Sequence, residues 1–177
     1  MSNNIPEIEE LIKQFSKLPG LGPKSAKRII LKLIQNKENM VKPLAKSLAT
    51  VYKNVVRCNN CGNLKISTNK CICEEVGKFD KICIVESLAD MWVIESANIF
   101  KGYYHILGGN INSSEKNDNK NLLIDSLIRR IKSNNLKEVI IATSATIEGQ
   151  TTAHYIEDVI QNDKLKITKL AQGLPVG

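Results

Sequence analysis

Apolar residues in the first 57 positions recur every three or four residues, whereas beyond residue 80 they form short continuous runs. The first pattern predicts helices with three apolar stripes, formed by Ile8, Leu11, Ile12 and Phe15, by Ala26, Ile29, Ile30 and Leu33, and by Leu44, Leu48, Val51, Tyr52 and Val55. The runs beyond residue 80 predict strands at 81–85, 103–107, 139–142 and 166–170, separated by helices at 88–95, 121–132 and 151–160. Such alternation is typical of a parallel or mixed α/β sheet with helices on its faces.

Residues 58–80 fit neither pattern, because they are polar, rich in cysteine and too poor in apolar residues to form a core of their own. The chain therefore divides into three predicted parts: helices in 1–57, a small cysteine segment in 58–80 and an α/β domain in 81–177. The polar stretch at 110–121 within the α/β domain predicts a mobile loop.

The composition indicates a folded protein and argues against membrane-spanning and secreted proteins. Of the 177 residues, 42% are hydrophobic, which suffices for a packed core. No apolar run approaches the roughly 18–20 residues that cross a bilayer, and the first 20 residues lack the features of a secretory signal. We therefore expect a cytoplasmic protein that makes no membrane contact.

The positive charge is concentrated in the first third of the chain. Residues 1–57 carry 11 Lys and Arg against 4 Asp and Glu, whereas residues 58–177 carry 14 of each, so the whole net charge of +7 lies in the helical part. This asymmetry indicates a surface that faces a polyanion. The alternative is an ordinary solvated helical surface.

The segment between the first two predicted helices reads Leu-Pro-Gly-Leu-Gly-Pro-Lys. Gly20 and Gly22 allow a tight turn, and proline suits the first position of the next helix. Free backbone N–H groups at that helix start, with Lys24, Lys27 and Arg28 beside them, would bind a phosphate. The pattern resembles the helix–hairpin–helix motif, which grips the nucleic-acid backbone without reading bases. The alternative is a helix–turn–helix corner stabilised by glycines.

Four cysteines lie within 16 residues, at Cys58, Cys61, Cys71 and Cys73. Four thiolates suit tetrahedral zinc, and the metal would stabilise a segment that has little apolar core. The final C-x-C pair forms a tighter chelate than C-x-x-C. An opportunistic disulfide and a site that has lost its metal are the alternatives. Cys83, within a predicted strand, is expected to be a small buried apolar residue.

Two carboxylates follow predicted strands of the α/β domain. Glu86 ends the run Ile-Cys-Ile-Val, and Glu148 follows the second strand in Thr-Ser-Ala-Thr-Ile-Glu-Gly. This arrangement resembles the Toprim domain of topoisomerases and primases, in which a strand-end glutamate and an Asp-x-Asp bind magnesium. Ser144 and Thr146 stand where the two aspartates would be, and hydroxyls are poor replacements for anionic magnesium ligands. Both glutamates could contact a partner or could cap local backbone N–H groups.

The order of helix–hairpin–helix, cysteine segment and degenerate Toprim domain resembles the RecR family of bacterial recombination mediators. Local strings agree with it, namely KLPGLGPKSA at 17–26, ICIVESLADMW at 82–92, GYYHILGG at 102–109, TIEGQTTAHY at 146–155 and GLPVG at 173–177. Two departures stand out. The family's cysteine spacing puts its third ligand at Lys70, one residue before Cys71, and its Asn-Pro-Thr is replaced by Ser-Ala-Thr ending at Thr146. The resemblance also implies a further segment beyond Gly177.

The resemblance implies a non-enzymatic DNA clamp assembled from dimers into a ring-like tetramer. It also implies that RecO and RecF are partners in loading RecA at single-stranded gaps, with Glu86 and Glu148 in the region that meets RecO. A magnesium-dependent Toprim nuclease or primase-like enzyme is the main alternative, and the missing Asp-x-Asp counts against it. A nucleic-acid-binding zinc module outside repair is a third possibility that the Toprim strings disfavour.

Overall fold

The computed structural model describes residues 5–111, 122–160 and 165–171. It divides into two compact units, Met1–Asn54 and Val55–Gly177. The predicted mobile loop at 110–121 and the GLPVG string fall almost entirely outside the described residues. Within the described part, no helix has the length and apolar character that a membrane span requires.

The N-terminal unit is helical, with α1 at Pro6–Phe15, α2 at Pro23–Gln35, a π-helical turn at Lys37–Val41 and α3 at Lys42–Asn54. Among the residues described in this unit, those that are buried lie on α2, at Ala26, Ile30 and Leu33. Neither α1 nor α3 buries a residue. The third apolar stripe therefore forms a helix as predicted but remains at the surface, and Val55, which the stripe included, begins a strand instead.

The second unit begins with a short hairpin of β1 at Val55–Arg57 and β2 at Leu64–Ile66, followed by a 3-10 turn at Ile72–Glu74. Its main part contains β3 (Lys81–Val85), α4 (Leu88–Ser96), β4 (Tyr103–Ile106), α5 (Ile124–Ser133), β5 (Glu138–Ala142), α6 (Ile147–Ile160) and β6 (Lys166–Lys169). The four main strands form one parallel sheet in the order β4-β3-β5-β6. The predicted α/β domain is thus confirmed, although α5 begins three residues later and α6 four residues earlier than the pattern predicted.

Helices cover both faces of this sheet. Ile82, Ile84, Val139 and Ile141 pack with α5 and α6 on one face. Cys83 and Val85 pack with Met91 of α4 on the other face, and Cys83 is buried as predicted. Burial on both faces explains why the strands read as continuous apolar runs rather than as alternating patterns.

Candidate nucleic-acid interface and metal centre

The turn between α1 and α2 adopts the geometry that its glycines and proline predicted. Gly20 has a φ of 79°, which an L side chain adopts only with strain. Gly22 precedes the helix in an extended conformation, and Pro23 occupies the first helical position. A Cβ atom added at Gly20 or Gly22 would meet nothing within 4 Å. The outer face of the turn is therefore open to a ligand.

The five residues predicted to bind DNA, Gly20, Gly22, Lys24, Lys27 and Arg28, are all exposed. The first turn of α2 contains no acidic residue and has no side-chain cap. Within the described residues, Lys24, Lys27 and Arg28 form no ion pair. The helix dipole and three free cations therefore act on the same stretch of surface, which is the electrostatic arrangement that attracts phosphate.

The structure brings the four predicted metal ligands together. The sulfur atoms of Cys58, Cys61, Cys71 and Cys73 lie within 4.8 Å of one another, and all four residues are buried. The Sγ atoms of Cys58 and Cys73 are 3.7 Å apart, and those of Cys61 and Cys71 are 3.5 Å apart. A tetrahedral zinc with Zn–S bonds of about 2.3 Å has sulfur–sulfur edges of about 3.8 Å. The donor set therefore fits such an ion.

The unusual C-x-C spacing is accommodated by the 3-10 turn that follows Cys71. The backbone N–H of Glu74 donates to the Cys71 carbonyl over 2.9 Å, and the Glu74 carboxylate accepts from the Cys71 N–H over 3.1 Å. This pair of hydrogen bonds fixes the turn in which Cys73 lies. Lys70 is exposed, and Cys71 supplies the third sulfur in its place.

Hydrogen bonds and burial distribute the protons of the cluster unevenly. The hydrogen bond from the Cys73 thiol is the main cause that lowers the pKa of Cys61 to about 5. Burial raises the pKa of Cys71 to about 11, and the pKa of Cys73 is raised mainly by its hydrogen bond to Cys61. These opposite shifts favour ionisation at Cys61 over ionisation at Cys71 and Cys73. Because metal ligands must be deprotonated, binding a metal here releases protons.

The cysteine segment is anchored to the α/β sheet through its backbone. The Cys61 carbonyl accepts a hydrogen bond from the Ile106 N–H over 2.7 Å. The hydroxyl of Ser126 on α5 donates to the Asn60 carbonyl. Arg57 donates to the carbonyls of Gly62, Ile106 and Leu107 over 3.2–3.3 Å. The turn that carries Cys58 and Cys61 is therefore part of the second unit's framework.

Glu86 lies at the carboxyl end of β3, beside the end of β5. After β3 the chain continues to β4 on one side of the sheet, and after β5 it continues to β6 on the opposite side. The gap between the ends of β3 and β5 is therefore the topological switch point, where α/β sheets commonly form binding sites. The Glu86 carboxylate accepts a hydrogen bond from the Ser144 N–H over 2.5 Å. It therefore caps the loop that follows β5.

Hydroxyl groups complete the connection between that loop and α6. The hydroxyls of Ser144 and Thr146 are 2.7 Å apart, and Thr146 accepts from the Gly149 N–H over 3.1 Å. A Cβ atom on Gly149 would lie 2.4 Å from the Ser144 carbonyl and 2.9 Å from the Glu86 carboxylate. Only glycine fits this close approach without a shift of the loop.

Glu148 does not join this network. It lies in the first turn of α6, where it is exposed. Among the described residues, its carboxylate has no hydrogen bond or ion pair. The structure thus separates the two glutamates that the sequence grouped together: one caps a loop, and the other is available at the surface.

Comparison with known proteins agrees with both units. A family model described as "RecR, helix-hairpin-helix" matches residues 8–52, and one described as "Toprim domain" matches residues 80–171. The protein named Recombination protein RecR in Pelagibacter ubique is 61% identical over 98% of this chain and 86% of its own length. The proteins of that name in Rickettsia felis and Orientia tsutsugamushi are 42% and 44% identical over 98% and 96% of this chain. They are matched over 87% and 85% of their own lengths. This chain belongs to the RecR family.

The resemblance stated from the sequence is thereby confirmed, as are the helix–hairpin–helix and Toprim assignments. In this RecR-family chain, three further residues shape the candidate sites without having been singled out. Arg57 joins the cysteine turn to the sheet, Arg130 lies buried on α5, and Gly149 admits the Glu86 carboxylate. Arg57 could have been identified from the sequence, because it lies directly before Cys58. Nothing in the local pattern distinguished Arg130 from the exposed Arg129.

Proposed function

We propose that this protein is a recombination mediator that binds DNA through the α1–α2 turn and acts with RecO and RecF to load RecA at single-stranded gaps. The observation that carries the DNA-binding part is the open turn with three cations on the first turns of α2 that form no ion pair with any residue the structure describes. Phosphate contacts of this type give affinity without sequence preference. Membership of the RecR family supports the partners. Buried free thiols and DNA as the target support action in the cytoplasm.

We further propose that Cys58, Cys61, Cys71 and Cys73 hold one structural zinc ion. Four protein ligands leave no open coordination position, so the ion supplies stability rather than catalysis. The proposal depends on the close approach of the four buried sulfur atoms, which all lie within 4.8 Å of one another. Zinc content measured in protein prepared without chelator tests it, and a value far below one ion per chain would contradict it.

We propose that the Toprim domain here performs no catalysis. The positions of the two magnesium-binding aspartates carry Ser144 and Thr146, whose hydroxyls bond to each other, and Glu86 is engaged by a backbone N–H. A two-metal site for phosphoryl transfer needs several carboxylates. With magnesium or manganese, the protein should neither cut, religate nor synthesise nucleic acid. Cleavage abolished by Glu86→Ala would instead support a Toprim nuclease or primase-like enzyme.

We propose that the protein works as a homodimer or homotetramer in which the N-terminal unit contributes a contact. A groove of about 440 Å³ on this unit is lined mainly by apolar side chains of α1, α2 and α3, including Leu11, Phe15, Leu44 and Leu48. Leu48 is 60% exposed, and Tyr52 farther along α3 is 91% exposed. A second copy would bury these side chains. Light scattering should show an oligomer, and Leu48→Glu should shift it toward monomer.

The DNA-binding proposal is tested by salt dependence. Replacing Lys24 and Arg28 by alanine removes two phosphate contacts, so the slope of log affinity against log salt should fall by about 2 for every DNA sequence. The matched control replaces Arg129 and Lys132, which are exposed on α5 and have the same total charge. That control should leave the slope unchanged. An equal change in both double variants, or an unchanged slope in the first with intact folding, contradicts the assignment.

A further inference from the structure

Arg130 is a charged side chain in the interior of the second unit, only 6% exposed. Its Nη1 donates to the Tyr104 carbonyl over 3.0 Å and faces Nδ1 of His105 at 2.9 Å. His105 is fully buried, and its Nε2 donates to the Leu123 carbonyl over 2.9 Å. Its Nδ1 is therefore the acceptor for Arg130. Burial, reinforced by the charge of Arg130, lowers the pKa of His105 to about 3, so the histidine is neutral and adds no second charge.

These contacts leave most of the guanidinium unsatisfied. Nε and Nη2 of Arg130 are buried and lack a hydrogen-bond partner in the part of the chain that the structure describes. No carboxylate there forms an ion pair with Arg130. The Tyr103 ring lies 5.6 Å from the guanidinium carbon, which compensates only part of a full charge. Arginine stays protonated in proteins. The buried positive charge of Arg130 therefore requires a nearby anion.

Residues close to Arg130 in the fold also bind the backbone of the cysteine turn. Two residues beyond Tyr104, the Ile106 N–H donates to the Cys61 carbonyl. One helical turn before Arg130, Ser126 donates to the Asn60 carbonyl. The strand β4 and the helix α5, which position Arg130, therefore also fix the turn that supplies two of the four sulfur ligands.

We propose that Arg130 is the built-in counter-charge of the metal centre: its guanidinium offsets the net negative charge of four thiolates around a divalent ion. This inference rests on the zinc site proposed above. Four thiolates and one Zn²⁺ have a net charge of −2, and they are buried, so the complex needs a nearby cation as much as Arg130 needs an anion. Arg130 is a positioning residue for the centre and does not ligate the metal.

The test compares zinc affinity in variants of the full chain, measured by competition with a zinc-binding dye. Arg130→Gln removes the charge but keeps a donor for the Tyr104 carbonyl, and it should weaken zinc binding by about 10-fold to 100-fold, as loss of an outer partner of a metal ligand does. Arg130→Lys keeps the charge and should retain most of the affinity. The control Arg129→Gln removes the same charge from the exposed neighbour and should bind zinc as the wild type does.

A second measurement separates this role from simple packing. Arg130→Gln should lower the melting temperature of the zinc-loaded protein, but leave that of the metal-free protein unchanged or raised, because there the buried charge has no counter-ion. A packing role predicts the same loss in both forms and an unchanged zinc affinity, and that result would overturn the inference. If the neutral variant does not fold, loss of zinc affinity in Arg130→Lys overturns it. A wild-type protein that binds no zinc would refute the proposed zinc site itself.

Discussion

The two units place their candidate sites in opposite ways. The N-terminal unit presents its cations and glycines on an open turn, above helices that bury only Ala26, Ile30 and Leu33. The second unit builds its metal centre from four buried cysteines with the buried Arg130 nearby, and its Glu86 carboxylate is half-buried at the end of the sheet, where it accepts from the Ser144 N–H. Because the site residues of the first unit are exposed, we expect that substitutions there alter DNA binding with little loss of stability. In the second, the groups that form the site also hold the unit together.

The largest effect should come from removing a metal ligand. Cys61→Ser takes one sulfur from the cluster, and structural zinc contributes about 10–16 kcal/mol of apparent binding free energy in small zinc domains. We expect loss of the metal and faster amide hydrogen exchange in residues 55–80, with unchanged exchange in α2. The control is Cys83→Ala, which removes a buried thiol outside the cluster and should cost about 1 kcal/mol. If Cys61→Ser increased amide hydrogen exchange equally in both units, the metal centre would not stabilise the second unit selectively.

The second-largest effect is expected in a comparison of two glycine-to-alanine variants, one in each unit. Gly149→Ala forces a Cβ atom against the Ser144 carbonyl, where only 2.4 Å is available, and should cost about 1–3 kcal/mol of unfolding free energy. Gly22→Ala places a methyl group in open space at a φ of −83°, so stability should change by less than about 0.5 kcal/mol. The same methyl group would stand where a phosphate approaches the helix start, and DNA affinity should fall.

Denaturant unfolding and DNA titration should therefore distinguish the two glycine variants, because one should lose stability and the other should lose DNA affinity. Gly149→Ala should be less stable and should bind DNA normally under conditions in which it remains folded. A Gly22→Ala protein that lost stability but kept its DNA affinity would show that the turn is a structural corner, which is the alternative that the sequence left open.

The sequence predicted the features that depend on residues close together in the chain. The turn at Gly20–Gly22 and its basic helix follow from a few adjacent residues, and the cysteine cluster from four positions within 16 residues. The β3 and β5 runs were also found, because burial on both sheet faces makes them continuously apolar.

Features that depend on distant partners could not be predicted. Val55 extends an apolar helical stripe, but it pairs with Ile66 in a strand. Arg130 and its acceptor His105 are 25 residues apart, and on α5 the local pattern gives both arginines the same polar character. The Glu86–Ser144 hydrogen bond spans 58 residues, so the capping and contact interpretations of Glu86 could not be separated without the fold.

The smallest effect concerns the two glutamates, which the sequence treated as a pair. Glu86→Gln weakens the acceptor of the Ser144 N–H and should cost about 1 kcal/mol, within the range of lost helix caps and charged hydrogen bonds. Glu148→Gln touches no described partner and should change stability by less than about 0.5 kcal/mol. We therefore propose that Glu148, which the sequence placed with Glu86 in the region expected to meet RecO, is the contact residue and that Glu86 supports the loop after β5.

The measurement is a thermal melt beside a RecO pull-down at low and high salt. Glu148→Gln should leave the melting temperature unchanged and weaken capture of RecO, more so at low salt, because exposed charge pairs are screened. Glu86→Gln should lower the melting temperature and affect capture only in proportion to unfolding. If Glu86→Gln weakened capture at full stability, the carboxylate would reach the partner despite its hydrogen bond to Ser144. If Glu148→Gln left capture unchanged at both salt concentrations, this edge of the Toprim domain would not be the surface that meets RecO.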